Sequence, residues 1–293
     1  MPAAEVDISL DLVRRLLAEQ HSDLSDLPLA VLANGWDNVI CELGDALLIR
    51  LPRRAVAADL VLNEQHWLPV LAPRLPLAVP APTRIGAPTD YYPWAWSILP
   101  KLPGEPAARK APLELRDAAT TLGGFLGALH TPAPPEAPAN PVRGVPLAHR
   151  AEAVSQNVEA ASGLIDRHAV TRLYEAAVAA PQWHGPPVWL HGDLHPANIL
   201  VDQGRISGVI DFGDITAGDP AADLSVAWMM LPATEHRAFH DAYGAARGAD
   251  IDPDSLTRAR GWALVLSLAF IAHSADNPLM ADIGRRAMDA VIR

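Results

Sequence analysis

Asp193, Asn198 and Asp211 are the residues of this chain whose types and spacing could do chemistry. They lie in His191-Gly-Asp-Leu-His-Pro-Ala-Asn198 and in Ile210-Asp-Phe-Gly213. Two carboxylates and an amide on closely spaced loops suit phosphoryl transfer. That reaction needs little covalent chemistry from a protein, but it needs phosphate charge neutralised and an attacking hydroxyl oriented or deprotonated. Two other readings use the same residues. His191-x-Asp193-x-His195 could be the divalent-metal site of a hydrolase, since His and Asp both ligate zinc. That leaves Asn198 and Asp211-Phe-Gly213 unexplained. Alternatively the polar residues merely cap turns, as Asp, Asn and Gly commonly do. Turn capping accounts for each residue singly but not for their joint spacing.

The elements that must position these residues are short. The apolar run Val188 to Leu190 ends at the first loop, Ile199 to Val201 follows Asn198, and Ile206 to Ile210 delivers Asp211. A turn at Gly204 between the last two runs predicts a hairpin. Strand, loop, hairpin, loop brings Asp193, Asn198 and Asp211 to one edge.

Protein kinases hold a base Asp and a magnesium-binding Asn in H-R-D-x-x-x-x-N, and a second Asp in D-F-G. Asp193 and Asn198 have that spacing, with Gly192 in place of the Arg. The combination His-Gly-Asp-x-His-x-x-Asn then Ile-Asp-Phe-Gly-Asp resembles the aminoglycoside phosphotransferase family of small-molecule kinases, which includes macrolide and choline-type kinases. The resemblance extends to Gly218-Asp219-Pro220 and Asp223-Leu224. It is strong over Val188 to Trp228 and weaker across the N-terminal half.

The resemblance implies a protein-kinase-like α+β fold of two lobes. Residues 1–102 would form an antiparallel-sheet N-lobe ending at a hinge, and 103–293 a mainly helical C-lobe, with the nucleotide in the cleft. It implies ATP or GTP as phosphate donor, Mg2+, and a small hydroxylated acceptor. Asp193 would be the catalytic base, Asn198 and Asp211 the metal ligands. His191 would shape the loop, Asp214 would assist near the metal, and Asp219 and Asp223 would be structural carboxylates. Backbone groups of Pro100 and Leu102 would meet the purine, with only the carbonyl of Pro100 able to serve. The strand lysine that grips the α- and β-phosphates in protein kinases has no counterpart before Lys101. Arg50 takes that role if it is filled, because its planar fork of donors is a competent phosphate clamp. Glu64 is the candidate carboxylate to pair with Arg50.

The rest of the chain is consistent with this plan. Ile8 to Gln20 has helical periodicity and should pack on the sheet that follows. Leu29 to Leu32, Val39 to Leu43 and Ala46 to Leu51 predict a three-stranded meander, whose first turn, Asn34-Gly35-Trp36-Asp37, carries a single glycine and no G-x-G-x-x-G. Arg53 and Arg54 read as solvated or near a helix start. A helix is predicted over Ala55 to Val70. Pro73 to Pro88 must be extended, and Tyr92 to Leu99 reads as a strand, with Trp94 and Trp96 as core. Leu113 to His130 is a helix in which Gly123, Gly124 and Gly127 permit close packing. Thr131 to Pro146 is a proline-rich linker or substrate-side loop. Ala148 to Ala180 is helical, as are four later segments, Ala221 to Leu231, Glu235 to Arg247, Asp254 to Ala275 and Ala281 to Arg293.

The net charge of −11 argues against nucleic acid as a partner, because phosphate binding wants clustered Lys and Arg. It favours cationic or neutral ligands. The longest apolar run, Trp262 to Ala272, is broken only by Ser267 and is too short to span a bilayer. Cys41 is the only cysteine, and Met1-Pro-Ala-Ala-Glu-Val-Asp lacks the basic-then-apolar order of a signal peptide, so a reducing cytoplasm is expected. For the acceptor, Glu235, Asp241, Asp250, Asp252 and Asp254 would suit a polycationic aminoglycoside. Trp228, Met229, Met230, Trp262 and Phe270 would suit an apolar macrolide. Overall charge tips the expectation toward the aminoglycoside kind. A kinase-fold binding protein without turnover is the rival from another class, motivated by the missing lysine and glycine loop.

Overall fold

A computed structural model describes residues 3–35 and 37–293. Trp36 of the first predicted turn, and Met1 and Pro2 of the N-terminus, lie outside the described residues. The chain divides into two units. The first takes in the residues up to Pro73, Ala78–Leu102 and Asp211–Gly213, and the second takes in Arg74–Leu77, Pro103–Ile210 and Asp214–Arg293. The units thus depart from a plain 1–102 and 103–293 division at two short segments, one of which carries Asp211.

The first unit is built on helix α1 (Leu10–Gln20), strands β1 (Leu29–Asn34), β2 (Asn38–Leu43) and β3 (Leu47–Pro52), helix α2 (Ala55–Leu71), and strands β4 (Arg84–Gly86) and β5 (Trp96–Pro100). The sheet order is β1-β2-β3-β5-β4, antiparallel throughout. The Ser9 hydroxyl accepts from the Leu12 N–H, which starts α1 with one orphan amide satisfied. Val13, Leu16 and Leu17 of α1 then pack with Cys41, Leu43, Ile49, Leu51 and Trp96 in one core. Truncating a fully buried ring such as Trp96 to alanine costs about 3–5 kcal/mol in cores of this kind. Burial also pushes the Cys41 thiol up to about 11.

Two expectations need correction here. The last strand begins at Trp96 and not at Tyr92, because Pro93 has no N–H to give a ladder. Tyr92 instead closes a tight turn with Thr89, and its hydroxyl donates to the Pro52 carbonyl at 2.7 Å. Arg53 lies near the helix start, one residue before the N-cap of α2, and is buried rather than solvated: its Nη1 donates to Asn34 Oδ1 at 2.8 Å and to the Gly35 carbonyl at 3.0 Å. Arg54 sits at the N-cap of α2, 3.5 Å from Asp37.

The second unit contains β6 (Glu105–Pro106), α3 (Leu115–Leu129), α4 (Ala151–Ala160), α5 (Arg167–Ala179), β7 (Val188–Leu190), β8 (Ile199–Asp202), β9 (Arg205–Val209) and β10 (Thr216–Gly218). Helices α6 (Ala221–Leu224), α7 (Val226–Met230), α8 (His236–Arg247), α9 (Pro253–His273) and α10 (Pro278–Ile292) follow. Gln203 and Gly204, both with positive φ, turn β8 into β9, as a two-residue hairpin requires. β6 pairs with β8, and β10 pairs antiparallel with β7. Helix α9 packs against α4, α5, α6, α7 and α10 and buries side chains around most of its girth, so its apolar residues need no single stripe. Against α8, α3 presents Gly123 and Gly127: a Cβ at Gly123 would lie 2.2 Å from the Phe239 carbonyl oxygen. Gly124 faces open space and takes no part. Gly163, with φ +85°, separates α4 from α5 within what reads as one helical stretch. Among the described residues no helix is long and apolar enough to cross a membrane.

Candidate functional site

In the second unit β7 runs straight into the loop of His191 to Asn198, and three sets of bonds shape that loop. Asp223, at the start of the C-terminal helices, accepts from the His191 N–H at 2.6 Å and the Gly192 N–H at 2.9 Å. The His191 ring places Nε2 2.9 Å from the Ile210 carbonyl and accepts from the Asp193 N–H at Nδ1. The Asn198 amide nitrogen donates to the Asp193 carbonyl at 3.0 Å, while the Asn198 carbonyl accepts from the Ile210 N–H at 2.9 Å. Gly192 stands where protein kinases have Arg for a local reason: with φ +86°, a Cβ there would meet the Asp214 carbonyl oxygen at 2.3 Å.

These bonds use both ring nitrogens of His191, which is therefore not presented as a zinc ligand. Among the described residues no group of three or more His, Cys, Asp or Glu side chains converges as a metal cage. Asp223 is buried with His130 Nε2 at 3.3 Å. Burial pushes its carboxyl up, but His130, the His191 ring and the Gly192 N–H outweigh that and hold it below the usual carboxylate range. Asp219 makes a two-point pair with buried Arg258, at 2.7 and 3.3 Å. Both carboxylates are structural in this geometry.

The Asp193 carboxylate is held from two sides. Arg143 Nη2 donates to its Oδ1 at 2.6 Å, and His195 Nε2 lies 3.4 Å from its Oδ2. Burial acts to raise its pKa, yet the Arg143 guanidinium and the His195 ring prevail and keep it well below the ordinary range. Phe270 of α9 meets His195 edge to face, with ring centroids 5.1 Å apart. Asp214 is bonded to Arg143 Nε at 3.2 Å and to Asn140 Nδ2 at 2.8 Å, both side chains of the 131–146 loop. Arg143 and Asn140 are the residues sequence reasoning missed. Only their place in a loop read as substrate-side hinted at them.

In the first unit Arg50, Glu64 and Asp211 meet. Arg50 Nη1 donates to Glu64 Oε1 at 2.6 Å, and Nη2 donates to Asp211 Oδ1 at 3.1 Å. The strand carries Arg50 inward while α2 carries Glu64 on its buried face. Burial pushes Glu64 up to about 7 against the pull of Arg50. Arg50 stays cationic, because the two carboxylates outweigh its own desolvation. Asp211 has φ +63°, a region that costs non-glycine residues energy and is tolerated best by Asn and Asp. Its side chain is 54% exposed, and only Oδ1 is taken by Arg50. Pro100 ends β5, and the Leu102 N–H has no hydrogen-bond partner among the described residues.

The Asn198 amide oxygen in the second unit and the Asp211 carboxylate oxygen not engaged by Arg50 in the first are each a hard donor of the kind magnesium takes.

An antiparallel five-stranded sheet with an Arg–Glu pair in one unit, and helices with an Asp–Asn loop in the other, give a kinase-like α+β fold. The model of the phosphotransferase enzyme family matches residues 28–262, and the chain belongs to that family. An aminoglycoside 3'-phosphotransferase from Streptomyces fradiae is 44% identical over 55 residues, 18% of this chain and 20% of that protein. The chain matches only about a fifth of the length of such curated relatives. Over nearly the whole chain the fold matches the GDP and kanamycin complex of aminoglycoside phosphotransferase APH(2")-IIIa (TM-score 0.68, 21% identity, 95% of this chain and 97% of that one). It also matches apo macrolide 2'-phosphotransferase MphH from Brachybacterium faecium (TM-score 0.64, 24% identity, 96% and 98%). At these identities the likeness is one of fold.

Proposed function

We propose that this chain transfers the γ-phosphoryl group of ATP or GTP to a hydroxyl of a small molecule. The observation that carries the reading is the Asp193 carboxylate, held ionised in a loop that also fixes Asn198, within a member of the phosphotransferase enzyme family. Asp193 accepts a hydrogen bond from the acceptor hydroxyl, orients its oxygen for attack and takes the proton as the phosphoryl group arrives. Arg50 grips the donor phosphates, and Glu64 holds Arg50 in place. The backbone at Pro100 and Leu102 receives the purine. Asn198 and Asp211 are the proposed magnesium ligands; magnesium, when bound, supplies neutralisation of phosphate charge. Support for a nucleotide comes from fold relatives solved with GDP.

The acceptor we propose is a hydroxylated, amine-bearing compound of the aminoglycoside kind, on the strength of the net charge of −11 and the family. Individual acidic residues add little: Asp252 caps α9 and Asp241 pairs with Arg237. One observation favours a second reading, a macrolide-type acceptor, because Phe270 sets an aromatic edge against His195 beside Asp193. Trp262 and Met229 are core residues and support neither.

The test is nucleotide consumption with ATP and GTP across aminoglycoside, macrolide and simple alcohol panels, with magnesium and after chelation. Magnesium-dependent phosphorylation of an aminoglycoside is the expected result. Binding of nucleotide without turnover on any acceptor would replace the enzyme by a kinase-fold binding protein. Stoichiometric zinc whose removal abolishes activity would favour a hydrolase.

A further inference from the structure

The geometry points to Arg143 as a positioning residue for the proposed reaction: from a separate loop it bridges Asp193 and Asp214 and fixes the orientation in which the Asp193 carboxylate meets the acceptor hydroxyl. The inference rests on the phosphotransferase reading and concerns a residue that no motif contains.

Three observations carry it. The guanidinium makes two directed contacts, Nη2 to Asp193 Oδ1 at 2.6 Å and Nε to Asp214 Oδ2 at 3.2 Å. Such a planar fork fixes direction as well as charge, which a lysine ammonium cannot do. With Oδ1 engaged by Arg143, Oδ2 is the oxygen left to receive a hydroxyl, and His195 Nε2 stands 3.4 Å from it.

Second, the loop does not depend on Arg143 to stay in place. The Pro138 carbonyl accepts from the Ala217 N–H at 3.1 Å and from the Thr216 hydroxyl at 2.9 Å, and the Asn140 N–H donates to the Thr216 oxygen at 2.9 Å. The Gly144 carbonyl accepts from the Asp219 N–H at 3.0 Å. The segment therefore lies along β10 by its own bonds. Gly144 is required there, since at φ +64° a Cβ would meet Leu190 Cδ1 at 2.5 Å. Asn140 tightens the approach: its Oδ1 accepts from the Val142 and Arg143 N–H groups, and its Nδ2 donates to Asp214.

Third, the Arg143 side chain is 20% exposed, as are its partners to 23% and 25%. It is thus neither a fully buried core pair nor a solvated surface bridge. In a reaction limited by approach geometry, loss of one such restraint has room to act on turnover. Misplacement of a reacting group by about 1 Å can cost on the order of 10²-fold.

The test compares wild type with Arg143→Ala and Arg143→Lys on an acceptor the wild type phosphorylates. Arg143→Ala should lower kcat on the order of 10²-fold with nucleotide affinity and melting temperature little changed. Added guanidinium at non-denaturing concentration should restore turnover saturably, and Arg143→Lys should keep an intermediate kcat. A merely structural role would not respond to guanidinium. Wild-type kcat in Arg143→Ala overturns the inference alone, as does a loss that follows nucleotide affinity or melting temperature and resists rescue. Wild type inactive toward every acceptor overturns the phosphotransferase reading, and the inference falls with it.

Discussion

The two units each hold an arginine between two carboxylates, and the two arrangements differ in burial and in origin. In the first unit Arg50 lies between Glu64 and Asp211, with Arg50 and Glu64 side chains 8% and 5% exposed. In the second, Arg143 lies between Asp193 and Asp214, all three 20–25% exposed. A buried pair that loses one partner strands an uncompensated charge, whereas a part-solvated pair lets water take over much of the lost interaction. The first arrangement is accordingly suited to holding a fixed cation. The second leaves Asp193 accessible to an incoming group.

The sharpest way to break this comparison is at Asp193. Asp193→Ala should lower kcat by roughly 10²–10⁴, the range for a positioned acid or base, while nucleotide binding survives. Steady-state kinetics with a separate nucleotide titration checks it, and unchanged turnover would remove the second arrangement from the chemistry altogether.

Stability separates the two arginines next. Arg50→Ala should cost about 3–5 kcal/mol by leaving the buried Glu64 without its counter-charge, and Arg143→Met only about 1 kcal/mol or less. Denaturant unfolding of both variants measures this; equal losses would show that burial does not distinguish the pairs. In binding experiments Arg50→Ala should weaken nucleotide more than acceptor, with Arg50→Lys partly active.

Asp223 supports the Asp193 loop from below. Asp223→Ala removes the acceptor for the His191 and Gly192 N–H groups, at about 1–3 kcal/mol for each buried donor left unsatisfied. Hydrogen exchange at those two amides should accelerate more than the global loss predicts, and unchanged protection would place the loop's anchor elsewhere.

The smallest effect is a chemical one in the first unit. Cys41 is fully buried and its thiol is pushed up to about 11, so a thiol reagent at about pH 8 should modify the native protein slowly and the unfolded protein at once. Rapid native labelling would mean that the sheet carrying Arg50 opens locally.

Much of this site is written in local sequence. The loop of Asp193 and Asn198 follows from three short apolar runs and a glycine turn. The Arg50–Glu64 contact spans 14 residues and is legible only through the resemblance to the kinase Lys–Glu pair, because Ile49 to Pro52 are all buried and no alternation singles out Arg50. Elsewhere a period of 3.6 residues sets which side chains face inward, as for Val13, Leu16 and Leu17 of α1. Where tertiary structure decided, no such period operates. Arg143 reaches Asp193 across 50 residues and Asp214 across 71, from a proline-rich loop whose path is set by bonds from Pro138 and Asn140 to β10 and from Gly144 to Asp219 just after it. Arg53 is buried because Asn34 and Gly35 fold back over it. The bonds that Asp214 accepts from Asn140 and Arg143 likewise come from the docked loop, across 74 and 71 residues. An irregular segment carries no repeating pattern of inward and outward positions, so its place depends on hydrogen bonds that exist only once the distant strand is there to make them.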